Sequence, residues 1–231
     1  MRSPFALLAL LGFGTHALAR FERFAGTKTA ASTQTLNIDF SDYSGASGDD
    51  ARSWLANQGL VVSDITIGKS SSIVPYARRY VPENVDIVDG LLRFKVDAER
   101  VNNDVISGEI ATEADNILYG TFKTVAKATS TEGTCLGFFT YTDDNHELDI
   151  EFLSSYYTEG YDTYTLVWTA NSAEYYVDGE YWTTLTRNIP TIPAQYFWNF
   201  CANGNLYWSA GPPPTDAFAY IKSISLEYTT A

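Results

Sequence analysis

Apolar and polar residues alternate every second position through most of this chain, the period of a half-buried strand, and a helical period is almost absent. The alternation predicts an opening strand over Leu36-Asn37-Ile38-Asp39-Phe40, a helical turn or two over 51–58, and short strands near 60–67 and 72–76. Longer strands follow over 105–112, 117–128, 136–141, 163–169, 195–201 and 217–228. Two pairs of segments, 85–88 with 91–96 and 174–177 with 180–185, are joined by Asp89-Gly90 and Asp178-Gly179. Asp-Gly supplies the positive φ angles of a type I′ turn, so both pairs predict two-residue hairpins. Many short strands at regular spacing predict an all-β sandwich in one domain.

The most informative segment is His146-Glu147-Leu148-Asp149-Ile150-Glu151-Phe152-Leu153. On a strand, Glu147, Asp149 and Glu151 project to one face and Leu148, Ile150 and Phe152 to the other. Like charges two residues apart repel and raise one another's pKa, a cost that an ordinary surface strand avoids. Glycoside hydrolysis uses such a row, with one carboxylate attacking the sugar and a second, kept protonated, acting as proton donor. A solvent-exposed acidic edge and a Ca²⁺ site of oxygen ligands are the two alternative readings of the same residues. The preceding apolar run, Leu136-Gly137-Phe138-Phe139-Thr140-Tyr141, and the turn Asp143-Asp144-Asn145 favour the catalytic one.

Glu-x-Asp-x-Glu after an aromatic strand resembles the signature of glycoside hydrolase family 16, the laminarinases, lichenases and related transglycosylases. The flanking segments Ser107-Gly108-Glu109, Tyr119-Gly120-Thr121-Phe122, Tyr175-Tyr176-Val177-Asp178-Gly179 and Trp208-Ser209-Ala210-Gly211-Pro212-Pro213 extend the resemblance over roughly 36–228. It implies a concanavalin A-like jelly roll of two curved antiparallel sheets, with the acidic strand near the middle of the concave one. It also implies a secreted, fungal-type, retaining endo-β-glucan hydrolase acting on β-1,3 or β-1,3-1,4-glucan. Glu147 would be the nucleophile, Asp149 the auxiliary acid and Glu151 the general acid/base, with no metal or organic cofactor.

Among sugar contacts, the resemblance points to Glu109, which reads equally as a solvated strand carboxylate, and to Trp208 as the leading aromatic platform; Tyr141 and Trp198 are secondary candidates that read as core before cleft. Ala111 stands where close relatives of the bacterial lichenases carry an Arg, and Asn199-Phe200-Cys201 where relatives often show Asn-Leu-Trp. The same site would equally serve a transglycosylase that passes the sugar to another chain instead of water, and the connection over 154–162, shorter than in family members, leaves a lectin-like glucan-binding protein as a further alternative.

Composition narrows the partners. The chain has 231 residues and a net charge of −13; removing residues 1–19, which carry Arg2 and no acid, takes it to −14. Such a charge argues against nucleic acid and anionic membranes, and a neutral polysaccharide is indifferent to it. Arg2, the apolar run 5–13 and Ala17-Leu18-Ala19 read as a secretory signal peptide over 1–19, too short to span a bilayer, followed by a flexible leader over 20–35. The expectation is a monomer in the extracellular space or cell wall. In that oxidising setting the two cysteines, Cys135 and Cys201, could form one disulfide if they are neighbours across strands, although both also read as small apolar strand residues. His146 is the one histidine left after signal removal, which excludes a Ser-His-Asp triad and a multi-His metal site.

Overall fold

The computed structural model describes residues 32–68, 71–127, 129–154 and 160–231. The predicted signal peptide, most of the leader and most of the short connection over 154–162 lie outside them.

Two eight-stranded sheets stack face to face as a jelly-roll β-sandwich, the fold class expected. One sheet runs β14 (Glu180–Leu185), β13 (Ala173–Val177), β12 (Asp162–Trp168), β9 (Ile117–Lys127), β16 (Ala217–Thr230), β6 (Leu91–Val96), β5 (Val85–Val88), with β1 (Thr33–Asp39) also against β16. The other runs β11 (His146–Leu153), β10 (Cys135–Asp143), β15 (Gln195–Cys201), β8 (Asp104–Thr112), β4 (Ala77–Tyr80), β3 (Ile65–Ile67), with β2 (Leu60–Val62) and β7 (Arg100–Val101) also on β8. β4 pairs with β8 in parallel, so this sheet is mixed rather than purely antiparallel. Among the described residues one α-helix, α1 (Asp49–Asn57), covers part of the expected 51–58 segment and buries Ala51 and Leu55.

Both Asp-Gly hairpins form as predicted. Asp89 and Gly90 have φ of 53° and 74°, and Asp178 and Gly179 have φ of 53° and 79°. The strand expected over 72–76 is not one: that stretch is bends and loop, and pairing starts at Ala77. Pro75 has no N–H to donate to a ladder, so the chain can enter the sheet only after it.

Burial follows the alternation. Leu148 and Ile150 on β11 lie in the core with Phe138 and Leu136 on β10, and Phe152 packs on its margin at 4.4 Å from the Tyr164 ring. The core is continuous between the sheets, from Ile38 on β1 through Phe94, Phe122 and Leu166 to Trp198 and Phe200.

The acidic strand is not near the middle of its sheet. β11 is the terminal strand, paired on one side with β10, and among the described residues no strand pairs with its other side. The chain leaves β11 at Leu153 and by Asp162 has entered β12 in the opposite sheet.

Candidate active site

Residues directly opposite in antiparallel strands project to the same face, so the register gives the floor of the site row by row. Glu147 faces Tyr141, which faces Gln195; Asp149 faces Phe139, which faces Phe197 and then Ala111. Glu151 faces Gly137, which faces Asn199 and then Glu109. The last row is Leu153, Cys135 and Cys201. The three acids therefore share one outward face as an extended ribbon, and the apolar residues between them are what hold that ribbon on the core.

The acids are electrostatically interdependent. Asp149 is buried, at 8% exposure, and its pKa is raised well above the ordinary carboxylate value. Loss of hydration is the first cause, followed by the charges of Glu147 and Glu151 and a hydrogen bond with Glu147. When Asp149 is protonated, its carboxyl donates in that bond to a Glu147 oxygen. Glu151 Oε2 accepts the indole N–H of Trp208 at 2.9 Å. The middle acid is thus pushed toward its neutral form, one neighbour is hydrogen-bonded to it, and the other is hydrogen-bonded to Trp208.

Gly137 keeps the floor open beside Glu151: a Cβ there would sit 3.0 Å from Asn199 Oδ1. Asn199 Nδ2 donates to Tyr80 Oη at 3.1 Å and to Glu109 Oε2 at 3.4 Å, and Ser63 Oγ donates to Glu109 Oε1 at 2.8 Å. Glu109 therefore lies on the face that carries the acids, in the row of Glu151. It is neither a solvated strand carboxylate nor a freely presented sugar ligand, being buried with both oxygens bonded.

Trp208 lies at the margin of the site, half-buried, in a turn pinned from several sides. Its backbone N–H donates to Asn205 O at 3.0 Å, Ala210 N–H to Asn205 O at 2.7 Å, and Ser209 Oγ to Asn203 Oδ1 at 3.2 Å. Tyr141 also borders the site, with its hydroxyl donating to Asp144 Oδ1 at 2.9 Å.

Trp198 requires a correction. It is 0% exposed, faces between the sheets and donates its indole N–H to Thr124 Oγ1 on β9 at 2.9 Å. Its parity on β15 is opposite to that of Phe197 and Asn199, so it is core and not a sugar platform. Phe197 and Phe139 occupy the floor instead, stacked at 5.3 Å. Their side of the strand could have been read from the same alternation, since both share the parity of Asp149's row.

Cys135 and Cys201 are direct cross-strand partners, as a disulfide would require, and both are buried. They are free thiols, so the adjacency is present and the bond is not. His146 Nδ1 bonds Asp143 Oδ1 at 2.8 Å and closes the turn before β11 rather than touching Glu147's row. Among the described residues, no three His, Cys, Asp or Glu side chains are grouped to hold a metal ion.

This arrangement has counterparts. Residues 75–159, from Pro75 before β4 past the end of the acidic strand, match the family described as Glycosyl hydrolases family 16. A β-glucanase of Brevibacillus brevis is 31% identical over 153 residues, 52% of this chain and 58% of that protein. A β-glucanase of Bacillus subtilis is 32% identical over 111 residues, 35% of this chain and 46% of that protein. The chain spans about half the length of these curated relatives. A β-1,3-1,4-glucanase (lichenase) from a mouse hindgut metagenome superposes with a TM-score of 0.65 at 18% identity, covering 83% of this chain and 98% of that one. The segment that carries the three acids is thus the segment that matches glycosyl hydrolases family 16, on a jelly roll shared with solved β-glucanases.

Proposed function

We propose that this protein is a glycoside hydrolase that cleaves β-glucan chains internally with retention of configuration. The single observation that carries the reading is the row Glu147-Asp149-Glu151 on one outward face, with the middle acid held neutral by burial and by its two neighbours. Asp149, pushed toward its protonated form, hydrogen-bonds Glu147 and holds in place the side chain that serves as nucleophile. Glu151, two residues on, delivers a proton to the departing oxygen and then withdraws one from water, the acid/base exchange of a double displacement. The partly exposed rings of Tyr141, Phe197 and Trp208 beside the acid row offer apolar faces to pyranose rings. Relatives called β-glucanase support β-glucan as the substrate class, and the choice between β-1,3 and mixed β-1,3-1,4 linkages belongs to the same proposal.

Secretion, and action at a cell wall, rest on the signal-like sequence of residues 1–19. The organisms of the matched relatives are bacterial, so the fungal type rests on the sequence resemblance alone.

The test is turnover of laminarin and lichenan by Glu147→Gln and Glu151→Gln, followed through reducing ends and product length. Each variant is expected to lose at least about 10²-fold in kcat with unchanged circular dichroism. Near-normal turnover in either one overturns the assignment. Products longer than the starting chains would mark a transglycosylase, and binding to insoluble glucan without new reducing ends would mark a lectin.

A further inference from the structure

Trp208 is bonded directly to a member of the acid row. Its Nε1–H donates to Glu151 Oε2 at 2.9 Å across the groove. A platform for a sugar ring needs only a flat apolar face, and Phe or Tyr would supply one. Neither of those rings carries an N–H, so the bond from the indole nitrogen to the acid/base is a property that a platform does not need.

The turn that carries the ring is built to hold one orientation. Asn203 and Ser209 bond each other through Asn203 N–H and Oδ1, and Gly204 N–H donates to Ala210 O at 2.9 Å. Gly204 has φ of +79°, and a Cβ there would lie 2.5 Å from the Tyr76 ring, so neither backbone nor packing admits another residue without a shift. Behind the indole stands Arg78 of β4, 8% exposed, with its guanidinium carbon 6.0 Å from the ring centroid. Arg78 is in turn tied to Cys201 on β15 and lies near Glu109 on β8. A cation at the face of an indole draws electron density from the ring and makes its N–H a better donor.

We propose that Trp208, backed by Arg78, is a positioning residue for the acid/base, its indole N–H clamping Glu151 Oε2 so that the carboxyl keeps one orientation through both halves of the reaction. This rests on the assignment of Glu151 proposed above. A donor aimed at a carboxylate favours its ionised form. The clamp therefore opposes the other groups facing Glu151. On its own strand these are Asp149, neutral, and Glu147; on β10 the Cys135 thiol; on β15 the Cys201 thiol; and on β8 the Glu109 carboxylate in the same row. The two carboxylates and burial favour the protonated form, and the indole restrains them.

The consequence is a pH signature that a sugar platform lacks. Trp208→Phe keeps an aromatic face and removes the N–H. The alkaline limb of kcat/KM is expected to move up by about one pH unit, the scale of one charge-assisted hydrogen bond, with kcat falling more than KM rises. A limb that stays in place while KM alone rises overturns the proposal and leaves Trp208 as a platform.

A second measurement needs neither substrate nor a variant at Trp208. Indole fluorescence of the unaltered chain is expected to titrate as Glu151 ionises, and that transition should vanish in Glu151→Gln. The same transition in both proteins overturns the clamp. Its presence, with full turnover retained in Glu147→Gln or Glu151→Gln, would instead count against the catalytic assignment while leaving the pairing intact.

Discussion

Asp149 shows how a single residue trades stability for chemistry. Its carboxyl is protonated in the folded chain well above the pH at which it ionises when unfolded. Below about pH 4 both states hold the proton and the residue is neutral to stability. As pH rises from there, only the unfolded state releases its proton, so unfolding is favoured increasingly until the folded-state pKa is passed. Asp149→Asn removes that penalty and keeps a group of the same shape. The expected result is a Tm above that of the parent at pH 7, with the gap closing as the pH falls to about 4. Activity should drop on the order of 10-fold or more, less than at Glu147 or Glu151. A melting series across that range, set beside initial rates, checks both halves. The placement of these acids was legible in the sequence because a two-residue period is local and sets the face of every side chain. Glu109 was only half legible. Its face can be counted along the strand, but its row comes from pairing, and Ser63 and Asn199, which bond its oxygens, lie 46 and 90 residues away in sequence.

At the level of the element, the sequence located strands well and their neighbours poorly. Turn chemistry is local, so Asp-Gly gave both hairpins with their register. Pairing is not local, and nothing in His146–Leu153 itself says whether a strand lies on one side or both; a terminal β11 was therefore invisible. The same holds for Cys135 and Cys201, whose opposition follows from the β10–β15 register. Gly120 on β9 shows a pairing constraint that does leave a local trace. It has φ of +156°, and a Cβ there would stand 2.5 Å from the Glu227 carbonyl oxygen on β16, where the register shifts between Tyr228 and Thr229. Backbone cannot retreat as a side-chain tip can. Gly120→Ala is expected to cost about 1–3 kcal/mol in urea unfolding. Turnover per folded molecule should be unchanged, because β9 lies in the sheet that does not carry the acids.

Across the whole molecule, the two sheets must keep a fixed spacing for the acid row to keep its shape, because β11 has its apolar side as its anchor as well as its single described partner strand. Trp198 is one of the ties between the sheets. It stacks edge-on with Tyr196 at 4.7 Å, Tyr196 lies parallel to Phe122 of the facing sheet at 4.7 Å, and the Trp198 indole N–H reaches Thr124 Oγ1 beside it. Trp198→Phe leaves an aromatic side chain in place and removes both the donor and part of the volume. Thr124 Oγ1 then remains buried without that partner, and the combined loss is about 2–4 kcal/mol. A cleft residue would behave oppositely, raising KM at little cost in stability. The expected outcome for Trp198→Phe is a lower Tm, with KM for β-glucan unchanged at temperatures where the variant is folded. Thermal melts and Michaelis curves on the same preparation check it. A raised KM with an unaltered melt would place Trp198 against sugar and contradict the packing described above.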